Sequence, residues 1–236
     1  MPTAADIAFD EKPWGFSFEQ ESGRPLKSIP QILLERRATS HFMPDEVPPE
    51  VLETILRFGA QAPSGFNLQP WRFIVVRDAE GRKKLQHAAF DQQKISEAPV
   101  VIIALGMKDE WKKYAEEIFE EGMRHGIGSP EKVPAQKKSA LEFLATQPMN
   151  VWVNRHTMIA FTVMMLVAEA YGWNTAPMEG FDPVAVRAAF NIPSEAEIVA
   201  LLAIGRAKEP EKPYPGRLAL ENIFYSENYG RPWKTS

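Results

Sequence analysis

Cysteine is absent from all 236 residues. Without it there is no disulfide framework, no thiolate nucleophile, no zinc–cysteine site and no iron–sulfur cluster. That fits a reducing compartment. Surplus positive charge is absent too. Lysine and arginine number 27 against 31 aspartate and glutamate, a formal net charge of −4. With no basic run interleaved with aromatics, no nucleic-acid partner is expected. Long apolar runs are also missing. The longest nearly apolar stretch, 158–168, is far short of the ~20 residues that span a bilayer. The start, Met-Pro-Thr-Ala-Ala-Asp, has no basic segment followed by an apolar one, as a secretory signal would. A cytoplasmic protein with no membrane partner is the expectation. Several chemistries drop out as well. There is no Gly-x-Gly-x-x-Gly, no phosphate-loop Gly-Lys-Ser/Thr, no Gly-x-Ser-x-Gly elbow and no His-Glu-x-x-His. His41, His87, His125 and His156 show no metal-ligand spacing, so no metal is expected.

What remains is ordinary globular material, 44% apolar and 25% charged. The length is enough to bury one sizeable core. Residues 1–27 have no clear period and read as an arm, with Trp14, Phe16 and Phe18 alternating as in a short strand. Residues 28–225 read as one domain with a helical excursion at about 107–148. Residues 226–236 read as a tail.

Within the domain, 28–39 is expected to be a helix capped by Ser28, its stripe formed by Ile29, Ile32 and Leu33. A second helix is expected over 49–60 and a strand over 71–76. Residues 78–81 read as a turn and 82–89 as a helix. The β-branched run 98–105 reads as a central strand buried on both faces. Two charged helices, 108–123 and 135–146, fill the excursion. The longest helix, 150–171, is apolar nearly all round from Thr157 onward, which predicts burial on all sides. Within 172–182, Pro177 and Gly180 bracket a loop, or the stretch is a strand-to-helix turn, with a cap at Asp182 and a helix over 183–190. A last apolar strand covers 198–204. About four strands with helices around them make an α+β fold.

Three stretches carry polar groups on stiff backbone. In Ala62-Pro63-Ser64-Gly65-Phe66-Asn67-Leu68-Gln69-Pro70-Trp71, two prolines and a glycine hold an irregular path that bears a hydroxyl and two amides. It is either a plain helix-to-strand connector or a binding loop. Arg36 and Arg37 end the first helical pattern. They suit a helix dipole, and they equally suit a phosphate or a carbonyl edge. Pro177-Met178-Glu179-Gly180-Phe181-Asp182 brackets a loop whose backbone amides can face a ligand.

These stretches also carry a resemblance. Pro63 to Trp71 resembles the Pro-Ser-Ser-x-Asn-x-Gln-Pro-Trp segment of the nitroreductase family of flavin mononucleotide (FMN) oxidoreductases, with Gly65 where the second serine stands. Arg36-Arg37-Ala38-Thr39-Ser40-His41-Phe42 resembles its Arg-Arg-Ser-x-Arg/Lys-x-Phe, with Ala38 and Ser40 departing from the pattern. Pro177 to Asp182 resembles Pro-x-Glu-Gly-Phe/Tyr-Asp. Gly205-Arg206, a proline-rich coil and Arg217 resemble the strand, loop and phosphate-reaching arginine of the family, with Pro215 where a lysine is frequent. Together these cover most of 28–225.

The resemblance implies the nitroreductase-like fold, a central mostly antiparallel sheet sandwiched by helices in a domain-interlocked homodimer. It implies FMN as cofactor, NAD(P)H as electron donor, and hydride transfer through flavin N5 to nitro compounds, quinones or similar small acceptors by a ping-pong mechanism. By carry-over, Arg36, Arg37, Ala38, Ser40, Arg206 and Arg217 lie at the flavin's phosphate side, with Gly205 beside them. Lys212 is a further phosphate candidate. Pro63, Ser64, Gly65, Asn67, Gln69, Gln92 and Lys94 meet its polar edges, and Asp91 is an alternative to Gln92. Pro177 and Met178 supply part of a wall, and Glu179 and Gly180 lie near N5. No side chain is assigned as a catalytic acid or base. Other readings of the same resemblance are ene-reduction, reductive dehalogenation, flavin breakdown and a non-enzymatic flavin-binding dimer. The excursion reads as a lid, with Trp111, Tyr114, Phe119 and Phe143 as aromatic contacts.

Overall fold

The structure is a computed structural model that describes residues 26–210 and 212–234. The alternation at Trp14, Phe16 and Phe18 lies outside the described residues. Four strands form one sheet in the order β1-β2-β4-β3, where β1 is Trp71–Val76, β2 Val100–Met107, β3 Asn174–Met178 and β4 Ala196–Gly205. Every strand pair is antiparallel. The α+β expectation holds, and the sheet is sandwiched by helices.

Strands β2 and β4 occupy the centre because they are apolar on both faces, and every residue of β2 is buried. Alternation sorts their side chains. Val101, Ile103, Leu105 and Met107 face a layer made by α3 (Ala79–Ala88), α4 (Gln93–Glu97) and α8 (Pro183–Ala189). Val100, Ile102 and Ala104 face α2 (Pro49–Ala60) and α7 (Met149–Ala170). The register of β2 on β4 shifts between Ala104 and Leu105, which pair with Ala200 and Ile198. Val199 is the extra residue, and it joins Ala200 on the α7 side. The bulge thus lets a ten-residue strand keep both faces buried.

Several boundaries differ from expectation. Helix α1 is Ile29–Glu35 and stops four residues early. Ser28 does cap it, in a reciprocal capping box with Gln31. Arg36, at φ −56° and ψ 130°, leaves the helix, and the chain extends so that Ala38 bridges Thr175 beside edge strand β3. Pairing with β3 therefore wins over helix propagation. The predicted stripe also fails in the single chain. Ile32 is buried, whereas Ile29 and Leu33 are 56% and 60% exposed. The turn predicted at 78–81 is the first turn of α3, because the Asp78 side chain caps it through the Gly81 amide. Strand β3 occupies 174–178 and leads into the turn before α8, so Pro177, expected to open a loop, stands in a strand. That proline is tolerated on an edge strand, where one side of the backbone needs no partner. Asp182 caps α8 through the amides of Val184 and Ala185, as expected.

Helix α7 crosses the sheet with Val153, Thr157, Ala160, Phe161, Met164 and Ala168 buried. It is long and apolar enough to cross a membrane, yet here it packs on strands. Burial on all sides does not occur within one chain. Ile159 is 39% exposed, and Val163 and Leu166 are half-buried on the opposite face. Helices α5 (Trp111–Arg124) and α6 (Val133–Ala145) form the excursion. Arg72 of β1 ties α5 down, with Nε 3.3 Å from Glu110 Oε2 and its guanidinium 5.1 Å from the Tyr114 ring centroid.

Candidate functional site

The segment after α1 runs along the open edge of β3. Its path is fixed by backbone bonds from Thr39 N to Thr175 O and from Met43 N to Arg206 O. Glu97, at the end of α4, accepts from the Phe42 amide and pairs with His41. These contacts place Arg36 and Arg37 at the sheet edge. Arg37 donates to the carbonyls of Leu34 and Arg36, and its guanidinium carbon lies 5.1 Å from the Tyr214 ring centroid. Arg217 sits 5.5 Å from the same ring. Two guanidinium groups from distant parts of the chain thus share one tyrosine, although like charges repel.

A second pair of cations adjoins the same coil. Lys94 of α4 has its pKa held below the ordinary value of 10.5, first by desolvation and then by the charge of Lys212. Lys212 is two residues from Tyr214, so α4, the 36–43 segment and the 212–217 coil carry their positive charge into one region. Among the described residues no carboxylate forms an ion pair with Arg36, Arg37, Lys94, Lys212 or Arg217. Some cations elsewhere do form ion pairs, as Arg57 does with Glu53 at 2.7 Å, and others such as Arg77, Lys83 and Arg155 do not among the described residues; the edge group is set apart by its clustering. Three buried polar atoms here also lack a partner: Arg36 Nη1, Arg37 Nε and Thr39 Oγ1. Leaving buried donors and clustered cations unsatisfied is costly, of order 1–3 kcal/mol for each buried polar group. A ligand with several anionic oxygens removes that cost. The donor set fits a ligand such as FMN, with a phosphate at one end and a polar ring edge at the other.

Gln92 and Gly180 meet beside this region. Gln92 Nε2 donates to Gly180 O at 2.7 Å and to Ala89 O at 3.1 Å. Glu179 and Gly180 are exposed there. Asp91 is exposed in the left-handed region and follows Phe90, which is also left-handed and 68% exposed. Ala38 and Ser40 lie on the same edge segment. Ala38 is held by its backbone bridge and Ser40 is half-buried.

Three expected members serve other purposes. Met178 is 5% exposed and packs its side chain into the core against α3 and α8, because the pleat turns it inward. Pro177, one residue earlier, is half-buried on the other side of the edge strand. Gly205 is glycine for packing. A Cβ there would lie 2.7 Å from Pro99 Cδ and 2.8 Å from Phe42 Cδ1. The Arg206 guanidinium stacks over buried Trp173, 4.6 Å from its ring centroid.

The 63–69 loop is elsewhere. Phe66, Asn67 and Gln69 all have positive φ, at 55°, 57° and 45°. For Phe and Gln this is strained, on the order of 1–3 kcal/mol each. The strain is held by Ser64 Oγ, which accepts from the Gln69 amide at 3.0 Å, and by Gln69 Nε2 donating to Asn67 O at 3.2 Å. Asn67 and Pro63 remain exposed. Gly65 seats against Trp152 and His156 of α7. Phe66 meets Phe143 of α6 edge-on at 6.0 Å.

The sheet separates the two groups. Trp71, at the start of β1, pairs with Gly106 at the far end of β2, while Gly205 and Asn174 pair at the opposite end. Three strand spacings, roughly 14 Å, lie between the β1 and β3 edges. The loop and the cationic cluster therefore occupy opposite corners of one chain. Residues that sequence reasoning missed are Tyr214, which gathers two arginines, and Thr39, whose hydroxyl is buried without a partner. Neither carries a local signal.

The antiparallel sheet is flanked by helices and carries a cluster of cations at one edge, where an anionic group could be received. The nitroreductase family model matches residues 33–206. A Thermus thermophilus protein named NADH dehydrogenase is 34% identical over 204 residues, 86% of this chain and 98% of that one. The Bacillus subtilis protein MhqN, named as an NAD(P)H nitroreductase, is 30% identical over 187 residues, covering 78% and 90%. A structure from Exiguobacterium sibiricum, described as a nitroreductase in complex with FMN, superposes with a TM-score of 0.79 at 25% identity, covering 86% of this chain and 99% of the other. The chain belongs to the nitroreductase family.

Proposed function

We propose that the protein is an NAD(P)H-dependent oxidoreductase that works through FMN and reduces nitro compounds, quinones or similar small acceptors by a ping-pong cycle. The observation that carries this is the group of Arg36, Arg37, Lys94, Lys212 and Arg217, which has no carboxylate partner among the described residues. Family membership supports it, as do the names of the relatives and the FMN complex of a similar structure.

Bound FMN supplies the hydride relay between NAD(P)H and the acceptor. Arg37 and Arg217, spaced by Tyr214, hold the phosphate. Arg36 Nη1 and Thr39 Oγ1 offer further donors to the same end. Lys94 places a positive charge beside the ring edge, where it stabilises developing negative charge. Gln92 fixes the Gly180 carbonyl, and so sets the course of the Glu179–Gly180 backbone along the open face. The loop bearing Ser64, Asn67 and Gln69 sits at the opposite corner of its own chain. We infer that it completes the site of a second copy, so that a homodimer carries two shared sites. The open face of α7 and the exposed Leu218, Leu220, Ile223, Phe224 and Trp233 give that dimer apolar surface to bury.

The test is the visible spectrum of purified protein with added FMN and NADPH or NADH, followed by product analysis with a nitroaromatic and a quinone. Flavin bands that bleach with the nicotinamide and recover with the acceptor support the proposal. Protein that binds no flavin, or that holds flavin which never turns over, overturns it.

A further inference from the structure

Gly65 has no need of glycine's backbone freedom, because its φ lies outside the positive region. Its need is for space. A Cβ at this position would lie 3.2 Å from His156 Nε2 and 3.3 Å from Trp152 Cζ2, tighter than ordinary contact. The imidazole therefore occupies the volume that a residue-65 side chain would fill.

The ring is held from three sides. His156 Nδ1 lies 2.7 Å from the Trp152 carbonyl one turn earlier on α7. A carbonyl oxygen only accepts, so Nδ1 carries the proton and Nε2 is the nitrogen turned toward Gly65. The ring lies against the Trp152 indole, tilted by 40° with centroids 4.3 Å apart. That indole is buried and leans in turn on Trp111 of α5 at 6.2 Å. Rigid α7 thus presents a fixed aromatic shelf, and the strained loop rests on it at the one residue without a side chain. Immediately beyond that contact come the left-handed residues Phe66, Asn67 and Gln69.

We propose that His156 is a positioning residue for the 63–69 loop. It forms a complementary pair with Gly65 that sets where Ser64, Asn67 and Gln69 project, and through them governs flavin retention. The last step rests on the flavin reading above; the pair itself does not. The imidazole does this by shape and by its fixed orientation, as a wedge between α7 and the loop. Glycine at 65 and histidine at 156 are therefore two halves of one packing solution. A small side chain at 156 allows a larger one at 65.

The experiment is a double-mutant cycle of Gly65→Ser, His156→Ala and Gly65→Ser/His156→Ala. It is read by thermal unfolding of the flavin-free protein and by FMN titration followed through flavin fluorescence. Each single variant is expected to lower the melting temperature and weaken FMN binding about tenfold. The double variant is expected to recover most of both losses, to within about threefold of the parent's affinity. His156→Phe keeps the ring and loses the bond to the Trp152 carbonyl, so it is expected to fall between the parent and His156→Ala. Additive losses in the unfolding cycle overturn the proposal. So does a Gly65→Ser variant with unchanged melting and affinity. If the parent protein binds no FMN, the flavin reading fails, while the unfolding cycle still decides whether His156 and Gly65 act as a pair.

Discussion

At the residue scale, the unpaired cations and the fitted glycines carry the most weight. Gly205 leaves room for Pro99 and Phe42 at the point where β4 passes under the edge segment. Gly205→Ala is expected to cost about 1–3 kcal/mol, because a Cβ there meets a ring on each side and neither is a flexible chain end. Urea unfolding of the variant checks it, and an unchanged midpoint would rule out the close fit. Lys94 gives a pH dependence. Its folded pKa lies below 10.5, so between that lowered value and 10.5 the unfolded chain binds more protons than the folded one. Stability from this group therefore rises with pH through that window, is lost as pH falls back through it, and is constant below it. The parent should gain stability relative to Lys94→Gln as pH climbs toward 10.5, and Lys212→Gln should remove a smaller part of the same slope, since its charge is the second cause. Denaturation at a series of alkaline pH values measures both.

Individual elements differ in how they are anchored. The sheet is tied by paired backbone and a two-sided core, whereas α5 and α6 join the body through a small apolar cluster around Trp111, Leu144 and Trp152 and through polar contacts. One of the polar contacts is the Arg72–Glu110 pair, with Tyr114 donating from its hydroxyl to Glu110 at 3.4 Å. Glu110 is among the more enclosed carboxylates of the ion pairs, with its side chain 18% exposed. Glu110→Gln is expected to loosen the start of α5 and speed its amide exchange about two- to fivefold, leaving β2 unchanged. Hydrogen exchange resolved by segment tests this, and uniform change across the sheet would show that the pair supports the whole fold instead. The caps expected at Ser28 and Asp182 form, and Asp78 adds a third where the sequence reads as a turn.

For the whole molecule, the decisive feature is the distance between the 63–69 loop and the cationic edge. If each site draws on two copies, a defect in one part is complemented by a partner defective in the other. A loop variant, Asn67→Ala/Gln69→Ala, and an edge variant, Arg37→Ala/Arg217→Ala, should each lose FMN. After random subunit exchange they should recover about a quarter of the parent's sites, because half the dimers are mixed and each has one intact site. Flavin content after refolding the mixture measures this. No recovery would mean that each chain builds its own site.

The sequence by itself determined the elements whose cause is local. The strands at 71–76, 98–105 and 198–204 were legible because β-branched runs and alternation are local patterns, and the long helix and the caps at Ser28 and Asp182 were legible for the same reason. The motif stretches were legible too, since proline and glycine fix backbone wherever they stand. Tertiary structure decided the rest. Helix α1 ends at Glu35 because Ala38 finds Thr175, a partner more than a hundred positions away. Met178 turns inward because β3 pairs with β4 at the sheet edge. Arg37 and Arg217 converge on Tyr214, and Gly65 fits His156, through contacts between segments far apart in the chain. Periodicity records which face of an element is apolar. It holds no record of which faces meet, because that choice belongs to the long-range pairing that sets the order β1-β2-β4-β3.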